Sequence, residues 1–148
     1  MADETRLSTC RVRVRVVDTD MMGIAHHAAY LSYFETGRIE YMRARGVVYS
    51  EWVGRDVHLP VVEVKIRYRR PARFDDLLLL ETSLGKSTPF SLRFDYRITR
   101  QDGESTAWLL RGYTLLSCIG NDASMRQVPD EIVQALNGPE LLGAGAAR

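Results

Sequence analysis

A chain of 148 residues is one domain by length, large enough to bury about two-thirds of the surface its unfolded form exposes. With 45% hydrophobic and 26% charged residues it is ordinary globular material, and a net charge of +1 argues against a dedicated polyanion binder while leaving local clusters open. Two cysteines, Cys10 and Cys118, make neither a disulfide framework nor a zinc signature; both sit in strand-like apolar runs and read as buried free thiols in a reducing cytoplasm.

The opening MADETRLST is polar, without the apolar stretch of a secretory signal, and residues 1–9 are expected to form a tail. No apolar run approaches the roughly 18 residues of a membrane span. Valines 12, 14 and 16 alternate with arginines 11, 13 and 15, which predicts a strand with one apolar face. A loop from Asp18 to Gly23 follows. From His27 or Ala28 to Arg45, Tyr30, Leu31, Phe34, Gly37, Arg38, Tyr41 and Met42 recur at helical spacing, and Gly46 is a natural stop. A short helix or turn is expected over 48–53.

The remainder predicts β-structure. VHLPVVEVKIRYRR (57–70) is a strand whose Pro60 marks an edge or a bulge. LLLLETSLG is a second strand, and FSLRFDYRI a third, with Phe90, Leu92, Phe94, Tyr96 and Ile98 alternating. Asp-Gly within RQDGES signals a hairpin, and TAWLLRGYTLLSCI predicts an inner strand apolar on both faces. A short helix over 129–136 opens on Pro129 and Asp130, and residues 138–148 are expected to be a flexible tail. One long helix and a meander of strands predict an α+β domain over 10–137, a curved antiparallel sheet of about five strands around the helix. Its open edges call for a second subunit, so a homo-oligomer is expected.

The chemistry concentrates in VVDTDMMGIAHHAAYLSYFE (16–35). Asp18, Asp20, His26 and His27 are potential metal ligands. Neighbouring positions on a helix diverge by about 100°, however, and nothing else in the sequence completes a coordination sphere, so no metal is expected. Aspartates in such a loop also serve simply to satisfy turn amides. The alternative is an acyl-transfer site. Gly23 permits a tight turn, the helix start presents unpaired amides to an oxyanion, and a loop carboxylate acts as base or nucleophile.

DTDMMGIAHHAAYLSYFETGRIEYMRARG, followed by YRRPARFDDLLLLET, resembles the 4-hydroxybenzoyl-CoA thioesterase-like family of hotdog-fold enzymes. Within it the chain is most similar to the bacterial acyl-CoA thioesterases that include the Tol–Pal-associated group. The resemblance spans residues 10–136 and implies a sheet wrapped around a long helix, a dimer or tetramer, and sites at subunit interfaces. It implies hydrolysis of an acyl-CoA or acyl-carrier-protein thioester, with no cofactor beyond the coenzyme A of the substrate. The family's catalytic aspartate falls on Asp20, and its carbonyl-polarising amide on His27. Asp18, Gly23 and Glu35 are expected in support, and His26 as surface or pocket lining.

Lys65, Arg67, Arg69, Arg70 and Arg73 crowd nine residues, with Lys65, Arg67 and Arg69 on one face of a strand. They are either a solvated face or a reader of the coenzyme's phosphates, where Arg forks suit the oxygens. The turn GKSTPF offers Lys86, Ser87 and Thr88 to pantetheine or phosphate, or is only a turn. Tyr30 and Phe34 are candidates for an acyl pocket or for core. Glu63 points either at the site or at solvent. Near-neutral charge disfavours nucleic acid. A non-catalytic acyl-CoA or carrier-protein binding subunit, or a dehydratase, are the alternative readings on the same fold.

Overall fold

The computed structural model describes residues 6–141. Five strands form one antiparallel sheet: β1 (Leu7–Arg13), β2 (Val61–Tyr68), β3 (Leu77–Leu84), β4 (Ser91–Asp102) and β5 (Ser105–Ser117), in the order β1-β3-β4-β5-β2. Helix α1 (Ala29–Ala44) packs on one face of this sheet against β1, β3 and β4. Two shorter helices, α2 (Tyr49–Gly54) and α3 (Asp130–Leu136), close its flanks. This is the α+β arrangement that the patterning predicts.

α1 forms where it does because its stripe has only this sheet to meet. Tyr30, Tyr33, Phe34, Gly37, Tyr41 and Met42 are buried at helical spacing against Leu78, Leu80, Phe94, Tyr96 and Ile98. Phe34 stacks on Tyr96 with ring centroids 4.1 Å apart. Helix and sheet approach most closely at Gly37, where a Cβ would run into Thr82 Oγ1 and Leu80. Gly46, at φ +80°, ends the helix in the left-handed conformation that glycine takes without cost.

Several boundaries differ from the sequence expectation. β1 begins at Leu7, inside the segment read as a tail, and ends before Val16, whose neighbours Val16–Asp18 form a 3-10 turn. Val16 is therefore exposed, while Val14 is buried. At the other end Ser8 Oγ donates to Glu140 (2.7 Å) and the Leu141 N–H to the Ala44 carbonyl (2.8 Å), so residues 138–141 are tied to the domain. Residues 142–148 of the expected flexible tail lie outside the described residues.

β5 is an inner strand, but not one covered on both sides. Leu110, Thr114 and Leu116 are buried, whereas Arg111 is exposed and Tyr113 and Leu115 are half-buried on the opposite face. Its apolar run is long because of a bulge. Ile98 pairs with Leu110 and Thr99 with Trp108, leaving Leu109 as an extra residue that is buried beside Leu110. β2 is the edge strand that Pro60 signals, with an irregular register between Val61 and Glu63. Val61, Val62, Val64 and Tyr68 on it are all exposed.

Candidate active site

The segment between β1 and α1 is folded by Asp18, which is only 6% exposed. Its Oδ2 accepts the Arg15 backbone N–H (2.9 Å) and the Tyr33 hydroxyl (3.0 Å), and its Oδ1 faces the Arg15 guanidinium at 3.0 Å. Its carbonyl accepts the His26 N–H at 2.7 Å. Burial alone raises the carboxyl's pKa, but the hydrogen bonds from Arg15 and Tyr33 outweigh it and hold the group below its ordinary value. The Tyr33 hydroxyl is driven well above its ordinary range, by burial and then by the Asp18 carboxylate. Asp18 is thus consumed in shaping the loop.

Asp20 is differently placed. Its N–H donates to Ile24 O and its carbonyl accepts the Gly23 N–H, both at 3.0 Å, in a turn made possible by Gly23 at φ +75°. The carboxylate takes a single hydrogen bond, from the Met22 N–H to Oδ1 (2.8 Å). Oδ2 has no hydrogen-bond partner among the described residues.

The start of α1 supplies the second component. The Ala25 N–H is occupied by Ala72 O (2.8 Å), that of His26 by Asp18 O, and that of Ala28 by His26 Nδ1 (3.0 Å). The His27 N–H, between them, has no acceptor among the described residues. The neighbouring His27 carbonyl is held by the Tyr68 hydroxyl at 2.6 Å. Asp20, His27, Tyr30, Tyr68, Arg69 and Arg70 line one open pocket of about 410 Å³. Two residues that each keep an uncommitted polar group, Asp20 and His27, therefore line a cleft that two tyrosines and two arginines also border.

The two histidine rings do not diverge as helical neighbours would. α1 begins only at Ala29, so His26 and His27 lie in a turn, with ring centroids 4.0 Å apart. His26 is exposed on the surface, outside the lining of that pocket, and its Nδ1 accepts the Ala28 N–H just ahead of the helix. Among the described residues, no group of three or more His, Cys, Asp or Glu side chains converges as a metal site would require.

Other expected site residues are dispersed. Glu35 is exposed, 3.9 Å from Arg38, and borders a separate groove with Ile39 and Leu59 rather than the Asp20 pocket. Phe34 is fully buried in the core and is not part of the Asp20 pocket, whereas Tyr30 lines it, its hydroxyl accepting the Ala72 N–H at 3.4 Å. Lys86, Ser87 and Thr88 border a different pocket, next to α3. There the Ser87 hydroxyl accepts the Arg93 N–H and Thr88 Oγ1 accepts the Phe90 N–H, both at 3.2 Å, which is turn chemistry. The arginine run is split: Arg69 and Arg70 reach the Asp20 pocket, Arg67 faces the outer side of the sheet, and exposed Arg73 bridges to Ile24 through its backbone. Glu63 accepts the Tyr113 hydroxyl on that outer side. Tyr68 was not anticipated, since no sequence period reveals that the end of β2 meets a carbonyl 41 residues earlier.

A family model described as the thioesterase superfamily matches residues 22–107. The acyl-CoA thioesterase YbgC of Haemophilus influenzae is 31% identical over 109 residues, covering 73% of this chain and 77% of that protein. The putative acyl-CoA thioesterase YneP of Bacillus subtilis is 32% identical over 98 residues, covering 66% and 71%. Among solved structures, the hypothetical protein TT1821 from Thermus thermophilus superposes with a TM-score of 0.80 at 32% identity, over 87% of this chain and 96% of that one. The 4-hydroxybenzoyl CoA thioesterase of Pseudomonas sp. strain CBS-3 gives 0.80 at 20% identity, over 88% and 99%, a likeness of fold alone.

Proposed function

The chain belongs to the thioesterase superfamily and is an acyl-CoA thioester hydrolase like its relatives; from that premise we propose that Asp20 and the His27 amide perform the chemistry. One observation carries this assignment: Asp20 and His27 line the same pocket, and among the described residues neither the Asp20 Oδ2 nor the His27 N–H has a hydrogen-bond partner. The thioester carbonyl oxygen accepts the His27 N–H, at the end of a helix whose aligned dipoles favour negative charge. Asp20 then takes a proton from water, whose oxygen bonds to the carbonyl carbon. The negative charge passes to the carbonyl oxygen, where a well-placed donor is worth on the order of 10²–10³ in rate. Collapse of that adduct breaks the carbon–sulfur bond, and the thiolate leaves with the proton held by Asp20.

The same geometry serves a nucleophilic variant, in which Oδ2 attacks the carbonyl carbon, expels the thiolate as the carbon–sulfur bond breaks, and is freed when water hydrolyses the resulting mixed anhydride. A single turnover in oxygen-18 water separates the two routes, because only the anhydride route can leave label in Asp20. Asp20→Asn keeps an acceptor for the Met22 N–H and removes the base, so thiol release should fall at least a thousandfold with Tm unchanged. Hydrolysis at the wild-type rate in that variant refutes the assignment. Tight binding without turnover, across a full panel of acyl-CoAs and acyl-carrier proteins, would make the protein a binding subunit instead.

The proposed working unit is a homo-oligomer. β2 offers an unpaired backbone edge flanked by exposed Val61, Val62, Val64 and Tyr68, the kind of strand that a second copy covers. Light scattering on the purified protein tests this, and a monomer at micromolar concentration overturns it.

A further inference from the structure

The outer face of the sheet, opposite α1, carries three arginines in one cross-strand row. Arg67 on β2 stands directly opposite Arg111 on β5, which in turn stands opposite Arg97 on β4. Directly opposed positions lie about 5 Å apart, and like charges there destabilise a sheet. None of the three has a carboxylate partner among the described residues. Of the acids on this face, Asp95 pairs with Arg93 at 2.9 Å and Glu63 accepts the Tyr113 hydroxyl, while Glu81 on β3 stands opposite Arg97 at the end of the row and makes no ion pair with it among the described residues. Lys65 adds a fourth exposed cation, one row along.

These groups and Trp108 border a concave depression of about 550 Å³, which the Arg93–Asp95 ion pair also lines. The indole donates to Leu110 O at 3.1 Å, which lays it along its own strand. The guanidinium carbons of Arg69, Arg97 and Arg111 sit 4.9, 5.4 and 5.7 Å from its centre. Contact with an aromatic face holds guanidinium groups in place without satisfying their N–H donors.

We propose that this arginine row is a binding site for a nucleoside oligophosphate. The row spans two strand spacings, about 10 Å, which suits two or three consecutive phosphates, and forked guanidinium groups match phosphate oxygens. The depression has the size of a small-molecule site. A nucleic-acid strand would need cations continuing well past this row, and the chain's net charge is only +1. A second copy of the chain is disfavoured, since a two-fold contact here would press the row against itself. The phosphates have two possible sources: a free nucleotide, or the nucleotide end of a coenzyme A thioester. The second source alone rests on the hydrolase reading above.

Calorimetry at low salt with inorganic tripolyphosphate, ATP and coenzyme A tests the site. Saturable binding of one equivalent per chain is expected, weakened at least tenfold in Arg111→Gln and in Arg97→Gln. Arg111→Gln should melt at or above the wild-type temperature, because it removes a like charge that faces Arg67 on one side and Arg97 on the other, whereas Arg97 also faces Glu81 and its variant is read by binding alone. Asp20→Asn should bind ATP as the wild type does, which separates this site from the catalytic assignment. If the phosphates belong to the substrate, Arg111→Gln raises KM for acyl-CoA but not for acyl-pantetheine, and ATP competes with acyl-CoA. If they belong to a free nucleotide, ATP binds without competing and KM is unchanged. Absence of saturable binding by all three probes overturns the proposal, as does binding untouched by both substitutions. So does a single-stranded oligonucleotide whose affinity keeps rising with length beyond the span of the row.

Discussion

Replacing Asp18 by Ala should destabilise the protein and disable its site, although the residue touches no substrate. The side chain gathers the Arg15 N–H, the Arg15 guanidinium and the Tyr33 hydroxyl. Arg15 is exposed and its groups return to water, so that ion pair contributes little. The Tyr33 hydroxyl, on a side chain 3% exposed, would be left buried without its acceptor, at a cost of about 1–3 kcal/mol. With the void left by the carboxylate and the loosened Arg15 N–H, the loss comes to about 3 kcal/mol. For a chain of this size that lowers Tm by roughly 9 °C. Because the Asp18 carbonyl also holds the His26 N–H, the backbone of Asp20 and His27 shifts with it, and a misplacement of about 1 Å can cost on the order of 10² in rate.

The sign of the pH dependence follows from the direction of the Asp18 shift. A carboxyl whose pKa is lowered by folding contributes stability that is fully present above its unfolded value, about 3.9, and is lost as pH falls through the folded value. The gap in Tm between wild type and Asp18→Ala should therefore be constant from pH 7 to about 5 and narrow progressively below pH 4. Circular-dichroism melts across that range, with thiol release measured at pH 7, are the assay. A variant melting within 2 °C of wild type at pH 7, or a gap that does not shrink in acid, refutes the role given to Asp18.

Three further substitutions probe the architecture around the site. Gly23→Ala adds a Cβ that meets no atom within 4 Å, so its cost is the left-handed backbone alone, about 1–2 kcal/mol, and kcat should fall as the Asp20 turn opens; unchanged kcat and Tm would contradict this. Tyr68→Phe removes the hydroxyl from the His27 carbonyl on an exposed rim, so kcat should drop about tenfold while stability changes by about 1 kcal/mol or less; steady-state kinetics and a urea titration separate the two effects. Gly37→Val drives a side chain into Thr82 and Leu80 where α1 lies closest to the sheet, and should cost about 3 kcal/mol with the site chemistry intact in whatever remains folded; a thermal melt matching wild type would show that the helix can back away.

The features legible in the sequence are those set by neighbours along the chain. The stripe of α1, its stop at Gly46, the alternation of β4, the Asp-Gly turn before β5 and the edge position marked by Pro60 each follow from a local period or a local torsion. The candidate pair Asp20 and His27 was proposed from the sequence for the same reason, since a carboxylate, a glycine turn and the helix start expected at His27 lie within eight consecutive residues. Tertiary structure decided the rest, because it depends on which distant segments meet. It turned Asp18 into a buried anchor by placing Tyr33 beneath it, and it started the helix two residues later than the earliest expected point, so that His26 Nδ1 accepts the Ala28 N–H ahead of it. It brought Tyr68 to the His27 carbonyl and sent Lys86, Ser87 and Thr88 to another pocket. It also divided one run of basic residues between two surfaces. A strand turns successive side chains to opposite faces, and only the register with β5 and β4 determines which charges each arginine must face.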